Sequence, residues 1–301
     1  MKPFFRNAFA LAASLAFSVA AGMAPTVAVA AGAPNVVVEA VQMPAWLERD
    51  GARPTPLFPG MELRNNDQVE TGDNSRLLLR ARDGSAIKLG ANATFKLDNL
   101  QQRADNVFVA SMNVLEGAFR FTTDALAKYR GRREVTIRVA NVTAGVRGTD
   151  LWGKSAPNRQ IVCLIEGRIE VTPEGEPGIV MDQALQFYVR ENGRSQPVAP
   201  VPAAQLRDWA TETDIAAGRG AVRRGGRWKV TLASLDTQAA ALEIYDRVRE
   251  AGYPAEIHPT LAGDKRAYAI RLSNLPLKSE ADALAGSLKG RLGIEAPGVS
   301  M

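Results

Sequence analysis

The chain has 301 residues, 46% of them hydrophobic, and a formal net charge of +5 at pH 7. This length allows two modest domains. The small positive charge excludes the dense basic surface that is typical of nucleic-acid binding. One cysteine and one histidine exclude an internal disulfide and are too few for a His-rich or Cys-rich metal site. We therefore expect no nucleic-acid partner, no metal and no cofactor.

The single cysteine and the single histidine lie far apart in the sequence. Cys163 stands in the apolar run 161–165, and we interpret it as a buried core thiol. His258 precedes Pro259 at the end of a predicted strand, and nothing around it resembles the motif of a histidine-activated nucleophile. We therefore expect His258 at the surface and in no catalytic role.

The N-terminal segment is typical of a secretory signal peptide. Lys2 and Arg6 supply the positive start, residues 9–21 form the apolar stretch, and residues 28–30 (AVA) give a small-residue cleavage motif. The apolar stretch is shorter than the roughly 20 residues that a membrane span needs. We expect cleavage near Ala30 and a mature chain in the periplasm without a transmembrane segment. The alternative is an uncleaved membrane anchor.

From residue 36 to residue 191 the pattern is almost entirely that of short β-strands. The predicted strands cover residues 36–41, 68–71, 76–81, 86–89, 94–97, 107–112, 118–122, 135–139, 150–153, 160–166, 168–172 and 186–189. Asp83-Gly84 between two of them is a strong hairpin signal, and residues 124–129 fit one helical turn. Many short strands with frequent turns predict an all-β domain, either a β-sandwich or a β-roll.

Residues 192–226 are interpreted as a linker. The run SQPVAPVPA is a Pro-rich, extended spacer. It is followed by a segment whose apolar spacing fits a short amphipathic helix built on Leu206, Trp209 and Ile215. The run GRGAVRRGG is then expected to be a flexible basic tether. Its arginines have two interpretations, a contact with an anionic polymer or simple solvation, and we prefer the second.

The C-terminal end contains two copies of a strand–helix unit. RWKVTLASL begins at Arg227 and RAYAIRLSNL at Arg266, and both alternate apolar and polar residues as half-buried strands do. Asp236 is the predicted cap of the first helix and Ser279 that of the second. Further strands are predicted at AEIH and at IEAP. The expected α+β fold is ferredoxin-like, βαββαβ, with a four-stranded antiparallel sheet and both helices on one face.

Strand alternation assigns the two faces of this sheet. The apolar set is expected to pack under the helices: Trp228, Val230, Leu232, Tyr268, Ile270 and Leu272. The alternate set is expected on the open face: Lys229, Thr231, Ala233, Ala269, Arg271 and Ser273. From the residues alone, this second set has two interpretations, a binding surface or the solvated side of a half-exposed sheet.

Residues 36–191 resemble a FecR-type domain. The resemblance rests on ordered segments: PGMEL, DQVETGDNSRLLL, DGSAIKLGANATFKL, LEGAFRF, VANVTAGVRGTDL and EGRIEV. The most specific part is the run TAGVRGT, with Gly145, Arg147, Gly148 and Thr149. Its two glycines permit backbone angles closed to other residues and are expected to hold Arg147 in a tight connection before a strand. Arg147 is then either a ligand contact or, as we prefer, a structural residue that bonds the loop.

Residues 227–299 resemble a SPOR domain, a small module that binds peptidoglycan glycan strands stripped of their peptide stems. The strands WKVTLASL and AYAIRLSNL and the run GYPAEI carry this resemblance, although Thr231 stands where the family often has glutamine. The implied glycan-binding residues are Lys229, Thr231, Ala233, Arg271 and Ser273. Hydroxyls would bond sugar hydroxyls and N-acetyl amides, while Arg271 and Lys229 would neutralise lactyl carboxylates.

The sequence therefore predicts a secreted, non-catalytic, two-domain envelope protein. Its SPOR-like domain would bind denuded glycan strands, and its FecR-like domain would present a surface to a ligand or an envelope protein. The alternative is a periplasmic regulator in FecR-type transmembrane signalling. A wall-modifying enzyme would need two carboxylates at a set separation, and the β domain offers acids without a distinctive spacing: Glu116, Asp150, Glu166 and Glu170.

Overall fold

The structure is a computed structural model that describes most of the chain. The described residues are 36–103, 105, 107–123, 132–146, 148–262 and 265–301. The predicted signal peptide, the helical turn expected at 124–129 and Arg147 lie outside them. Within these residues no helix has the length and apolar character needed to cross a membrane.

The N-terminal part is a β-sandwich of two sheets. Its strands are β1 (Val36–Gln42), β2 (Ala45–Glu48), β3 (Thr55–Pro56), β4 (Glu62–Leu63), β5 (Gln68–Thr71), β6 (Arg76–Ala81), β7 (Ala86–Leu89), β8 (Thr94–Gln102), β9 (Val107–Thr122), β10 (Arg132–Val139), β11 (Val142–Val146), β12 (Asp150–Ala156), β13 (Arg159–Glu166), β14 (Ile169–Pro173), β15 (Ile179–Met181) and β16 (Gln186–Glu191). One sheet runs β1-β6-β7-β9-β12-β13-β16. The other runs β3-β2-β5-β8-β9-β10-β11-β14-β15.

Strand β9 belongs to both sheets and bends between them at Gly117. Its first half pairs with β8 and β10, and its second half pairs with β7 and β12. Gly117 has a φ of +86°, and a Cβ there would lie 2.5 Å from the Cα of Ala93, so only glycine fits the bend. Side chains from both sheets, among them Leu79, Phe95 and Phe121, fill one core between them. The predicted β-sandwich is confirmed.

The linker region is ordered. Short strands β17 (Arg194–Ser195) and β18 (Ala199–Pro200) pair with β16. Helix α1 (Ala203–Thr213) then stacks Trp209 on Trp152, with ring centroids 4.5 Å apart. Ile215, expected on the apolar stripe of this helix, lies beyond its end.

The prediction of a flexible tether over residues 218–226 is wrong at the centre of that segment. Residues Ala221–Arg223 form β19, which pairs antiparallel with β1 of the sandwich. Ala221 and Val222 are buried, so this short run contributes both backbone hydrogen bonds and apolar packing to the sheet edge. The charge and glycine content of this segment suggested that it is solvated. Its backbone instead pairs with the edge strand β1, because a sheet edge has backbone groups free to form hydrogen bonds.

The C-terminal module (residues 228–300) has the predicted ferredoxin-like topology. Its elements are β20 (Trp228–Leu235), α2 (Gln238–Glu250), β21 (Glu256–Ala262), β22 (Lys265–Leu275), α3 (Lys278–Leu288) and β23 (Gly298–Ser300). The sheet order is β21-β22-β20-β23, and all its pairs are antiparallel. Val230, Leu232, Ile270 and Leu272 pack beneath the helices with the rest of the core.

Three local predictions in this module are wrong. The last strand is Gly298–Ser300 rather than IEAP, since Ile294 is fully buried in the core after a turn at Gly293. The cap of α2 is Thr237, whose side chain accepts a hydrogen bond from the backbone N–H of Ala240. Ser279 lies inside α3, which begins one residue earlier.

Candidate functional site

The open face of the C-terminal sheet carries a row of polar side chains across three strands. Thr231 on β20 lies opposite Arg271 on β22, and Arg271 lies opposite Glu256 on β21. Because cross-strand partners project to the same side of a sheet, these three side chains share the face opposite the helices. Each is at least partly exposed to solvent. The predicted placement of Thr231 and Arg271 therefore matches the register.

The register of β20 changes directly after Thr231. Two residues, Leu232 and Ala233, stand opposite the single residue Ile270, which is a β-bulge. Ala233 is consequently packed against the core rather than on the open face, where strict alternation had placed it. Ser234 takes that position, opposite Ala269.

A second irregularity lies at the other end of the same strand pair. Trp228 pairs with Leu275 and Val230 with Leu272, so Lys229 stands opposite both Ser273 and Asn274. Lys229 also pairs with Ser300 on β23. Both Lys229 and Ser273 are partly exposed. Lys229 and Ser273, both predicted to bind glycan, therefore lie at the same edge of the face. Beside them is Asn274, whose backbone is in the left-handed region with a φ of +68°.

The guanidinium of Arg271 has no carboxylate partner among the residues that the structure describes. Its Nε is buried and has no hydrogen-bond partner among the described residues, and no carboxylate of the described chain lies within ion-pair distance. Glu256, its cross-strand neighbour, instead accepts from His258, whose Nε2 lies 3.1 Å from the Glu256 Oε2. A partly exposed planar cation without an ion-pair partner is suited to bind an anionic or carbonyl group of a ligand.

Sequence analysis missed Ser234, Glu256 and His258 on this face. The strand alternation gave no sign of the bulge that exposes Ser234. Glu256 and His258 lie on β21, whose partner strand and register were not assigned. The polar–apolar–polar order of Glu256, Ile257 and His258 was the available signal, since Ile257 packs against the core and its two neighbours face the other side. His258 is at the surface, as expected, with 43% of its side chain exposed.

The TAGVRGT motif of the sandwich is described except for Arg147. Gly145 lies in the middle of β11, opposite Thr136 and Glu170, and a Cβ there would touch nothing closer than 3.9 Å. The expectation that Gly145 needs unusual backbone angles is therefore wrong. Gly148 does adopt a φ of +70°.

Thr149 closes the described part of this motif. Its carbonyl accepts hydrogen bonds from the backbone N–H and the hydroxyl of Thr123, while its own buried hydroxyl has no partner among the described residues. Beside the motif, a groove of about 620 Å³ is bordered by charged side chains of both signs: Arg133, Glu134, Arg168 and Glu170.

Of the acidic residues considered for catalysis, Asp150 already has a partner within the sandwich. Asp150 is held by Arg120 through hydrogen bonds of 2.6 and 2.9 Å, and this contact raises the pKa of Arg120. Burial raises the pKa of Cys163 to about 12, which keeps it a neutral core thiol. Within the described part of the chain, no group of three or more His, Cys, Asp or Glu side chains could hold a metal ion.

Comparison with known families identifies both parts of the chain. Residues 67–170 match the family described as FecR protein, and residues 225–297 match the SPOR domain family. The chain therefore contains a region similar to FecR proteins, followed by a region similar to SPOR domains. The two resemblances inferred from the sequence are therefore confirmed. Both families are non-catalytic domain families.

No curated protein matches the chain. Two crystal structures of a protein described as a candidate anti-sigma factor from Parabacteroides distasonis ATCC 8503 are similar to it. They share 15% and 16% sequence identity, cover 73% of this chain, and are themselves covered over 91% and 90% of their length. The TM-score is 0.38 for both.

Proposed function

We propose that this chain is a non-catalytic protein of the cell envelope that binds peptidoglycan glycan strands through the open face of its SPOR sheet. The observation that carries this proposal is the guanidinium of Arg271, which is partly exposed between Thr231 and Glu256 on the face opposite the helices and has no ion-pair partner among the described residues. The match of this module to the SPOR family supports peptidoglycan as the polymer.

The chemistry of the face fits a glycan strand that lacks its peptide stems. Such a strand offers hydroxyls, N-acetyl amides and lactyl carboxylates along an extended chain. Thr231, Ser234 and Ser273 supply hydroxyls that both donate and accept hydrogen bonds. Arg271 can hold a carboxylate with two parallel hydrogen bonds, and Lys229 adds a second cation at the edge.

The FecR region would be held at the cell wall by the same contact. Strand β19 joins the sheet edge of the sandwich, and the Trp46 Nε1 donates a 3.1 Å hydrogen bond to the carbonyl of Glu250 in the SPOR module. The Ala45 N–H also donates to the carbonyl of Gly252. A glycan strand bound by the SPOR sheet would therefore position the sandwich as well, and the sandwich would present its surface to an envelope partner.

A sacculus-binding experiment on the full chain tests this proposal. The protein is mixed with purified sacculi before and after an amidase has removed the stem peptides, and the retained fraction is measured. We expect retention to rise after amidase treatment. The Arg271→Gln variant should lose most of this retention. Arg266→Gln is the matched control, since Arg266 is an exposed arginine of the same strand outside the proposed row.

Three outcomes would contradict the proposal. Equal retention of the wild type on treated and untreated sacculi would show that denuded glycan is not the ligand. An equal loss in both arginine variants would show that binding depends on net charge and not on this face. Any release of soluble sugar or peptide from sacculi by the purified protein would contradict its non-catalytic character.

The second candidate function is a periplasmic regulator in FecR-type signalling, and the FecR match at residues 67–170 favours it. This function would need the chain to stay connected to the membrane or to a membrane partner. N-terminal sequencing of the protein recovered from its envelope separates the two candidates. A mature N-terminus near residue 31 supports the secreted form, and a retained N-terminal segment supports the regulator.

A further inference from the structure

A cleft lies where the sandwich meets the SPOR module. Its volume is about 880 Å³, within the range of ligand-binding pockets. Sandwich residues, among them Gln42, Asp73 and Asn74, form one wall. Tyr253 and the end of α3, with Ser287 and Arg291, form the other, and Arg219 of the linker borders both.

One residue that lines the cleft, Gln42, has a buried acceptor without a donor among the described residues. Gln42 is only 7% exposed, and its Nε2 donates to the carbonyl of Asn74. Its Oε1 has no partner among the described residues. Buried side-chain polar atoms are nearly always paired in proteins, so this oxygen is an unsatisfied acceptor on a residue that lines the cleft.

The two walls of the cleft carry opposite charges. On the sandwich side, the Asp73 Oδ1 accepts a 3.0 Å hydrogen bond from the Asn92 Nδ2, and no cation of the described chain pairs with Asp73. On the other side, Arg219 and Arg291 form no ion pair within the described residues. A ligand with a positive and a negative end would satisfy both walls at once.

The aromatic residues at the cleft are not free to stack on a sugar ring. A Cβ on Gly252 would lie 2.6 Å from the Trp46 ring, and a Cβ on Gly72 would lie 3.3 Å from it, so both backbones lie directly against the indole. Its Nε1 is also engaged with Glu250. Tyr253 is only 5% exposed. This wall offers hydrogen bonds and charges but no stacking platform, which favours a peptide over a saccharide.

We propose that this cleft binds a short peptide with free termini. The peptide ammonium would pair with Asp73, its carboxylate with Arg291 and Arg219, and a backbone N–H would donate to the Gln42 Oε1. This site is distinct from the open face of the SPOR sheet, and it does not depend on glycan binding. Because its walls come from both parts of the chain, a bound peptide would also stabilise their junction.

Isothermal titration calorimetry of the full chain with three forms of tri-alanine tests the proposal. One form has free termini, one is N-acetylated, and one carries a C-terminal amide. We expect the free form to bind and each blocked form to bind at least about tenfold more weakly, equivalent to about 1.4 kcal/mol. Arg291→Gln should weaken the free peptide similarly, while Lys289→Gln, a nearby exposed lysine outside the cleft, should not.

Combining one protein variant with one modified peptide tests whether Asp73 pairs with the peptide ammonium. Asp73→Asn should weaken the free peptide but leave the N-acetylated peptide unchanged, since the lost charge then has nothing to pair with. The proposal is overturned if free tri-alanine gives no binding, if the Arg291 and Lys289 variants behave alike, or if N-acetylmuramic acid binds more tightly than the peptide. The last result would assign the cleft to an acidic amino sugar. Sacculus retention of the same variants, measured separately, reports on the open face alone.

Discussion

Two arginines of the sandwich, Arg49 and Arg120, are used differently from Arg271 of the SPOR module. Arg49 holds Asp67 through hydrogen bonds of 2.7 and 2.6 Å, and Arg120 holds Asp150 in the same two-bonded manner. Arg271 in the SPOR sheet has no such partner in the described chain. A guanidinium that one carboxylate holds through two hydrogen bonds stabilises the fold, whereas a partly exposed and unpaired one is available to a ligand.

The same contrast applies to carboxylates. Glu280 in the first turn of α3 is only 4% exposed, and its two oxygens accept four backbone N–H groups, from Gly218, Arg219, Gly220 and Ala221. Successive backbone donors of this kind form an anion-binding nest. Glu280 therefore fastens the linker to the SPOR module, next to the strand that joins the sandwich. Glu256 on the open face has no comparable role.

The largest effect is expected from Glu280→Ala. The substitution leaves four backbone donors without their anion, and we expect the free energy of unfolding to fall by about 3 kcal/mol or more. Glu280→Gln should give a smaller loss because one amide oxygen remains. Urea denaturation followed by tryptophan fluorescence measures both. The control is Asp282→Asn on the same helix, where an exposed ion pair with Lys278 contributes less than about 1 kcal/mol. Equal losses at both positions would contradict the nest.

A paired arginine of the sandwich is expected to behave as part of the fold. Asp150→Ala leaves Arg120 partly buried and unpaired, and we expect a loss of about 3 kcal/mol in the free energy of unfolding, with sacculus retention unchanged. Asp105→Ala removes an exposed partner of Arg103 and should cost less than about 1 kcal/mol. Weakened sacculus binding by the folded Asp150 variant would mean that the sandwich also contacts the wall.

The unpaired arginine is expected to show the opposite pattern. Arg271→Gln should lower the affinity for denuded sacculi by about tenfold or more, since a charged hydrogen bond contributes about 1.5–3 kcal/mol. The free energy of unfolding should change by less than about 0.5 kcal/mol. Combining it with Thr231→Ala should weaken binding further. A stability loss as large as that of Asp150→Ala would show that Arg271 has a structural partner. It would contradict the distinction between Arg271 and the paired arginines of the sandwich.

The helices and strands of this chain could be predicted from the local sequence pattern. The contacts that join segments distant in the sequence could not. The repeated strand–helix unit gave the sheet and helices of the SPOR module because alternation and helical spacing extend over many residues. The pairing of Ala221–Arg223 with β1 was missed, since it depends on a free sheet edge far away in the sequence. The nest around Glu280 was missed for the same reason.

The candidate site shows the same limit within a single strand. Alternation placed Thr231 and Arg271 on the open face, and the register agrees. Alternation cannot reveal a bulge, because a bulge depends on how the partner strand is paired. Ala233 was therefore assigned to the wrong face and Ser234 was overlooked. The interdomain cleft was beyond prediction, since its walls come from segments that only the assembled fold brings together.

The smallest effect separates the bulged register from strict alternation. With the bulge, Ser234 exposes its hydroxyl on the binding face and Ala233 packs on the core. Ser234→Ala should then lower sacculus affinity by about twofold to tenfold, the contribution of one neutral hydrogen bond, at unchanged stability. Ala233→Ser should instead destabilise the fold by about 1 kcal/mol by burying a hydroxyl, at unchanged affinity. Strict alternation predicts the reverse assignment, so measuring affinity and stability for this adjacent pair decides between the two registers.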